Sequence, residues 1–233
     1  MPVQQILLGS GADSGPSGYG SVIFDGSDDY LTIADNDDWD LTGSFTIELF
    51  ARFGSHNNHD CLVHNLTDSG WSGASWAFEY VQDQFHIYWY TSDGSSRNLD
   101  SGNDVPINTW RHHAWTFDGS THRIYQNGSK TGEVNQGAPR TGTNPLCIGG
   151  NCAGADADAR VSNLRITKGQ ALYTGSSLTV PTSPLTKTSQ GATASNVVLL
   201  CCNDPTDKLG ATVTPSAISV GGGDPTVSVS HPF

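Results

Sequence analysis

Residues 21–53, SVIFDGSDDYLTIADNDDWDLTGSFTIELFARF, constrain the fold of this chain more than any other stretch. Phe45, Ile47, Leu49 and Phe53 alternate with Thr46, Glu48 and Phe50, the period-two pattern of a strand with one face in a core. Upstream, Val22, Phe24, Tyr30, Leu31 and Ile33 form an apolar run broken by the turn signal Asp25-Gly26-Ser27. Between the two runs, Asp35-Asn36-Asp37-Asp38-Trp39-Asp40 is too charged to bury. Strand, acidic loop, strand is the beginning of an all-β chain.

The same pattern returns further along. In SWAFEYVQDQFHIYWYTSDG, Trp76, Phe78 and Tyr80 share one face, and Phe85, Ile87 and Trp89 share one face of the return strand, with the turn at Gln82-Asp83-Gln84. In the next pair, Trp110, His112, Ala114 and Thr116 alternate with Arg111, His113, Trp115 and Phe117. Asn127-Gly128 is a strong hairpin signal, because both central residues of a type I′ turn need positive φ. Val161, Leu164, Ile166, Leu172 and Tyr173 are expected to close the core. No long segment has helical periodicity.

Three of these segments, in this order, resemble a laminin G-like domain of the concanavalin A-like lectin and glucanase superfamily. They are F-D-G with D-Y-L-T-I and F-T-I-E; W-R-H-H-A leading to Y-Q-N-G; and C-I-G-G with L-R-I and A-L-Y-T. The resemblance implies a two-sheet antiparallel β-sandwich of jelly-roll type over residues 19–185. Residues 1–18 are then an N-terminal arm, and residues 186–233 a C-terminal extension with one docked strand, Asn196 to Cys202. The wording toward the end of the chain, TKGQALYTG, VPTSPLT, NVVLLCC and HPF, resembles segments of structural proteins of tailed bacterial viruses, of marine cyanophage type. The resemblance implies a virion protein: a capsid decoration, a knob or a tail-associated part.

Charge and cysteines narrow the partners. Lys and Arg total 11 against 23 Asp and Glu, a formal net charge of −12, which repels phosphate backbones and anionic membrane faces. Nucleic acid and membrane insertion are therefore not expected. The first residues carry no basic group and only the short apolar run Ile6-Leu7-Leu8, so no secretory signal is expected, as suits synthesis in a host cytoplasm and release in a virion. Cys61, Cys147, Cys152, Cys201 and Cys202 have irregular spacing, which suggests buried thiols, with a Cys147–Cys152 bridge as the alternative. Adjacent Cys201 and Cys202 should face opposite sides of a strand.

Catalytic signatures are missing. The chain has three glutamates, Glu48, Glu79 and Glu133, and lacks the E-x-D-x-x-E run of the related glucanases. It has no G-x-S-x-G elbow, phosphate loop or dinucleotide fingerprint, so a non-enzymatic role is expected. His56, His59, Cys61 and His64 are zinc-type ligands, but their spacing matches no standard finger and Cys61 and His64 should face opposite sides of a strand. A histidine-rich surface loop is the simpler reading. The resemblance implies a rim calcium, for which Asp156 and Asp158 are the candidates, with the Asp35–Asp40 loop a second. Trp71, Tyr88 and Tyr90 are candidates for a flat platform that binds a host-surface glycan; core packing or a subunit interface is the other reading of these aromatics. Ile6, Leu7, Leu8, Val197, Val198, Leu199 and Leu200 are the expected docking clusters of the two arms, on other virion proteins or further copies of the chain. A free lectin or adhesion module outside any virion is the alternative function.

Overall fold

The computed structural model describes residues 18–57, 59–66, 75–150 and 155–233. Ile6, Leu7, Leu8, Trp71 and Cys152 lie outside them. Sixteen strands follow in order: β1 Ser21–Asp25, β2 Tyr30–Ile33, β3 Phe45–Phe53, β4 His59–His64, β5 Trp76–Val81, β6 Gln84–Tyr90, β7 Ser96–Asp104 and β8 Arg111–Phe117. The second half holds β9 Thr121–Gln126, β10 Ser129–Asn135, β11 Leu146–Ile148, β12 Asp158–Lys168, β13 Val197–Cys201, β14 Ala211–Val213, β15 Ile218–Gly222 and β16 Thr226–Ser228. Helix among the described residues is confined to one-turn 3-10 segments.

The strands form two antiparallel sheets, the all-β sandwich that the resemblance implied. One has nine strands in the order β10-β9-β8-β3-β12-β1-β16, with β13 paired to β12 and β14 to β13. The other has seven, in the order β15-β2-β11-β4-β5-β6-β7. Their inner faces supply one core: Phe45, Ile47, Leu49, Trp115 and Ile124 from the first, Trp76, Phe78, Phe85, Ile87 and Trp89 from the second, all fully buried. Aromatic edges meet faces inside it, as in Phe45–Trp115 at 4.8 Å and Phe78–Phe85 at 4.4 Å between centroids. Both expected hairpin turns form: Asn127 and Gly128 have φ 48° and 93°, and Gln82 and Asp83 have 48° and 69°. The Tyr80 hydroxyl donates to the Asp83 carboxylate at 3.0 Å, tying the second turn to its strand.

The extension after residue 185 is built into the sandwich. β1 pairs only with the first half of β12, Asp158–Val161, which leaves Leu164–Thr167 open on that edge, and β13 fills it. β16 then adds to β1 and β15 to β2. Val197, Leu199 and Leu200 are buried, and Val198 packs against the core. These residues therefore cover apolar surface of their own chain, a correction to their expected role as a docking cluster for a partner. Leu172 and Tyr173 also depart from expectation. They lie after β12 and pack on the outer face of the nine-stranded sheet, against Ala114 and Tyr125, rather than in the core.

Under that covering segment, Glu48 is fully buried in a charged network. Arg165 donates to its Oε1 from Nε at 2.9 Å and from Nη2 at 2.5 Å, while His112 Nε2 at 3.0 Å and the Tyr173 hydroxyl at 2.8 Å donate to Oε2. Arg165 Nη1 donates onward to the carbonyls of Thr186 and Ser189 at 2.6 and 2.9 Å. Burial pushes Glu48 up, and His112 and Arg165 outweigh it and hold the carboxyl below its usual range. Cys201 and Cys202 also differ from the alternating pattern. Cys202 follows the end of β13 with φ 59°, so both thiols are buried in the core, hydrogen-bonded to each other at 3.6 Å and not joined by a disulfide.

Candidate ligand-binding groove

The outer face of the seven-stranded sheet carries a groove of about 360 Å³. It lies where β4 to β7 run side by side. Alternation on these strands sends Trp76, Phe78, Phe85, Ile87 and Trp89 into the core and turns Glu79, His86, Tyr88, Asn98 and Asp100 outward. Register then builds rows. Glu79 stands opposite His86 and His86 opposite Asp100; one step along, Ala77, Tyr88 and Asn98 face one another. His59 closes the β4 side.

The first row is polar and unequal in exposure. Glu79 is fully buried, with Oε1 2.9 Å from His86 Nδ1 and Oε2 3.7 Å from His59 Nδ1. The Cys61 thiol lies 3.6 Å from Oε2. Burial pushes Glu79 up, but the two histidines overcome it and keep the carboxyl below its usual range. The partnership with Glu79 in turn raises His59. Across the row, His86 Nε2 is 3.7 Å from the Asp100 carboxylate, whose side chain is 51% exposed.

Two of the three expected platform residues come together here. Tyr88 and Tyr90 are half-buried neighbours on β6, with rings edge to face at 5.5 Å. Tyr90 is less available than its neighbour, because the Arg140 guanidinium sits 4.7 Å over its ring. Tyr88 borders the groove, and burial with its Tyr90 neighbour pushes its hydroxyl up to about 12. Sequence reasoning missed His86, Asn98 and Asp100. The stretch SRNLDSGND has one apolar residue, Leu99, so its alternation is invisible until the hairpin from β6 sets its register.

The metal candidates are not assembled. Asp158 accepts from the Ser55 hydroxyl at 2.6 Å, and no group of three metal-ligating side chains among the described residues includes Asp156 or Asp158. The one such group described, Asp25, Asp28 and Asp29, lies in the β1–β2 turn, and Asp29 already accepts from the backbone of Asp25 and Asp224 at 3.1 and 2.7 Å. The Asp35–Asp40 loop closes on the buried Trp39, with Asn36 capping its single 3-10 turn. Nor do the zinc-type ligands converge. His64 donates to the Gly150 carbonyl and accepts from Leu66 N, and His56 bonds the Val105 carbonyl while stacking on Tyr80. Cys61 and His64 share a face after all, because a bulge between Cys61 and Val63 shifts the register.

The two buried glutamates also fail as a hydrolytic pair. Glu48 faces outward from the nine-stranded sheet and Glu79 outward from the seven-stranded one, so both sheets separate them. A glycosidase holds its two carboxyls about 5 to 10 Å apart around an accessible bond.

Among solved structures, the chain is similar to a candidate carbohydrate-binding protein from Bacteroides ovatus, with TM-score 0.65 and 16% identity over 91% of this chain and 60% of that one. It is also similar to the native heptameric SAP-like pentraxin of Limulus polyphemus, with TM-score 0.58 and 13% identity over 94% and 99% of the two chains. A third likeness is to domain 4 of AbnA, a GH43 extracellular arabinanase from Geobacillus stearothermophilus solved with arabinotriose, with TM-score 0.53 and 13% identity over 65% and 71%. For some matched structures the chain spans less than two thirds of the solved length, as with the Bacteroides protein and, at 38%, a Paraclostridial mosquitocidal binding domain. These likenesses concern the fold. No curated protein matches the sequence. Residues 25–172, well over half of the chain, match the laminin G-type model of its family, and the chain belongs to the concanavalin A-like lectin/glucanases superfamily.

Proposed function

We propose that this chain is a non-catalytic saccharide-binding module and that the outer groove of its seven-stranded sheet is the binding surface. The observation that carries the reading is the placement of half-buried Tyr88 beside Asn98 and Asp100 in one groove. An aromatic face with flanking amide and carboxylate suits a sugar, whose C–H face is apolar and whose rim is hydroxylated. Support also comes from two fold neighbours, one described as a candidate carbohydrate binder and one solved with arabinotriose. A non-catalytic role is consistent with the burial of Glu79, which leaves Asp100 as the solvent-facing carboxylate of the row.

A glycan array followed by calorimetry on the intact chain tests this. Binding of a saccharide without its hydrolysis, weakened about tenfold or more by Tyr88→Ala with an unchanged circular dichroism spectrum, is the expected result. Saccharide binding that ignores Tyr88→Ala would move the site elsewhere. Carried on a bacterial-virus particle, as the wording of the C-terminal segment implies, the same module would present its groove to host-surface glycans. Because Val197–Leu200 cover their own core, contacts with other virion proteins would have to use other residues. Mass spectrometry of purified particles tests that placement.

A further inference from the structure

Arg111 opens β8, and the alternation of RHHAWTF puts it on the core-facing side with His113, Trp115 and Phe117. As the first residue of the strand it stands where the core ends, and it lines a second pocket of about 360 Å³. Asp104 borders that pocket from β7 of one sheet, and Gln126, Asn127, Ser129 and Thr131 border it from the β9–β10 hairpin of the other. Gln126 stands opposite His113 and donates from Nε2 to the Asp104 carbonyl at 3.4 Å, which joins the two sheets beside the pocket. The pocket shares no lining residue with the saccharide groove. We propose that it is a separate binding site for small monocarboxylates, with Arg111 as their receptor.

The other arginines of the chain are engaged in hydrogen bonds, ion pairs or ring contacts. Arg111 is the exception among the described residues: its Nε is buried without a hydrogen-bond partner, and Asp104 forms no ion pair with it. A shielded N–H in that state carries a desolvation cost that a bound acceptor removes. Guanidinium N–H groups only donate, and Nε–H with one Nη–H makes a planar fork that matches the two oxygens of a carboxylate. The Asn127 amide and the Ser129 and Thr131 hydroxyls offer donors and acceptors to the rest of the ligand. A dianion such as phosphate calls for a second cation, and the lining supplies none. Asp104 and the net charge of −12 act against it further. What fits is a compact monoanion with a planar, two-oxygen head.

The test is an NMR titration of the intact, isotope-labelled chain with acetate, lactate and benzoate at constant ionic strength, and with inorganic phosphate for comparison. The Arg111 Nε–H signal, identified by its loss in Arg111→Lys, should shift saturably with at least one monocarboxylate. Phosphate should require about tenfold or more concentration for the same shift. Backbone signals of Asn127 and Ser129 should follow the same curve. In Arg111→Lys, which keeps the charge and loses the fork, they should need about tenfold or more carboxylate. Arg111→Met should raise the urea midpoint of the ligand-free chain, since it keeps an apolar stem and removes the unpaired group. No response to any of the three carboxylates, an equal response to phosphate, or an unchanged titration in Arg111→Lys would each overturn the proposal. So would a lowered midpoint in Arg111→Met, which would mean that the guanidinium is already satisfied within the fold.

Discussion

Trp115 donates its indole N–H to Nδ1 of His122 across 3.1 Å in the core, which assigns the histidine's only proton to Nε2. That Nε2 in turn lies 3.1 Å from the Gly137 carbonyl, completing a chain of bonds from the core to the loop after β10. A second proton on His122 would set an N–H against the indole N–H.

Stability should therefore fall in mild acid. Burial lowers His122 from its ordinary 6.5 to about 4, so the unfolded chain takes up the proton first as pH drops. The contribution is whole above about pH 6.5, declines below it and is lost as pH passes through the folded value, on the order of 3 kcal/mol in all. Buried His113, also lowered well below its ordinary value, adds in the same direction. Glu48 and Glu79 are held below their ordinary 4.5, so their losses come at lower pH. Urea unfolding at about pH 7 and about pH 5 checks this, and equal stability at the two would contradict it.

His113 itself is a candidate for stabilisation. It is fully buried, both ring nitrogens lack a hydrogen-bond partner, and the ring stacks on Phe85 at 3.9 Å. Replacing an unsatisfied buried polar group by an apolar one removes its desolvation penalty, about 1 to 3 kcal/mol. His113→Leu should raise the urea midpoint and flatten the acid slope. A lower midpoint at neutral pH would mean that the lost stacking and altered shape outweigh that gain.

How much of this was legible in sequence depends on the signal each part carries. The strand Phe45–Phe53 and the turn at Asn127-Gly128 were legible, because alternation and positive φ leave plain marks on residue choice. The groove was half legible: Tyr88 and Tyr90 are visible as outward aromatics, while Asn98 and Asp100 sit in a polar strand whose register only its partner fixes. The shared face of Cys61 and His64 was hidden by a bulge, since one extra residue reverses parity. The last strands, ATV, ISVGG and TVS, are too short and too rich in Gly, Ser and Thr to stand out from a tail.

Glu48 and Arg165 should be costly to separate. Both are fully buried, and Arg165 also ties down the carbonyls of Thr186 and Ser189. Removing one partner leaves an uncompensated buried charge, a loss of about 3 to 5 kcal/mol. Arg165→Met should lower stability by that order and make the 186–189 stretch the first site of limited proteolysis. Replacing both residues together, as Glu48→Leu with Arg165→Met, should cost less than Arg165→Met alone. A double variant no better than that single one would show that His112 and Tyr173 need the carboxylate for themselves.

A chain cut after residue 185 should not fold. The cut removes β13, whose Leu199 is fully buried, and uncovers the Leu164–Thr167 edge of β12. It also removes β16 from β1 and β15 from β2, so both sheets gain a bare edge on the same side of the sandwich. Losing one buried leucine side chain alone costs about 2 to 5 kcal/mol, a large share of the 5 to 15 kcal/mol that holds a typical domain together. Residues 1–185 are therefore expected to be poorly soluble and to lack a cooperative thermal transition. Full-length Leu199→Ala should remain folded with a lowered midpoint. If residues 1–185 instead melt cooperatively as a soluble monomer, the last four strands are an addition to a complete sandwich, and a docking role for them returns.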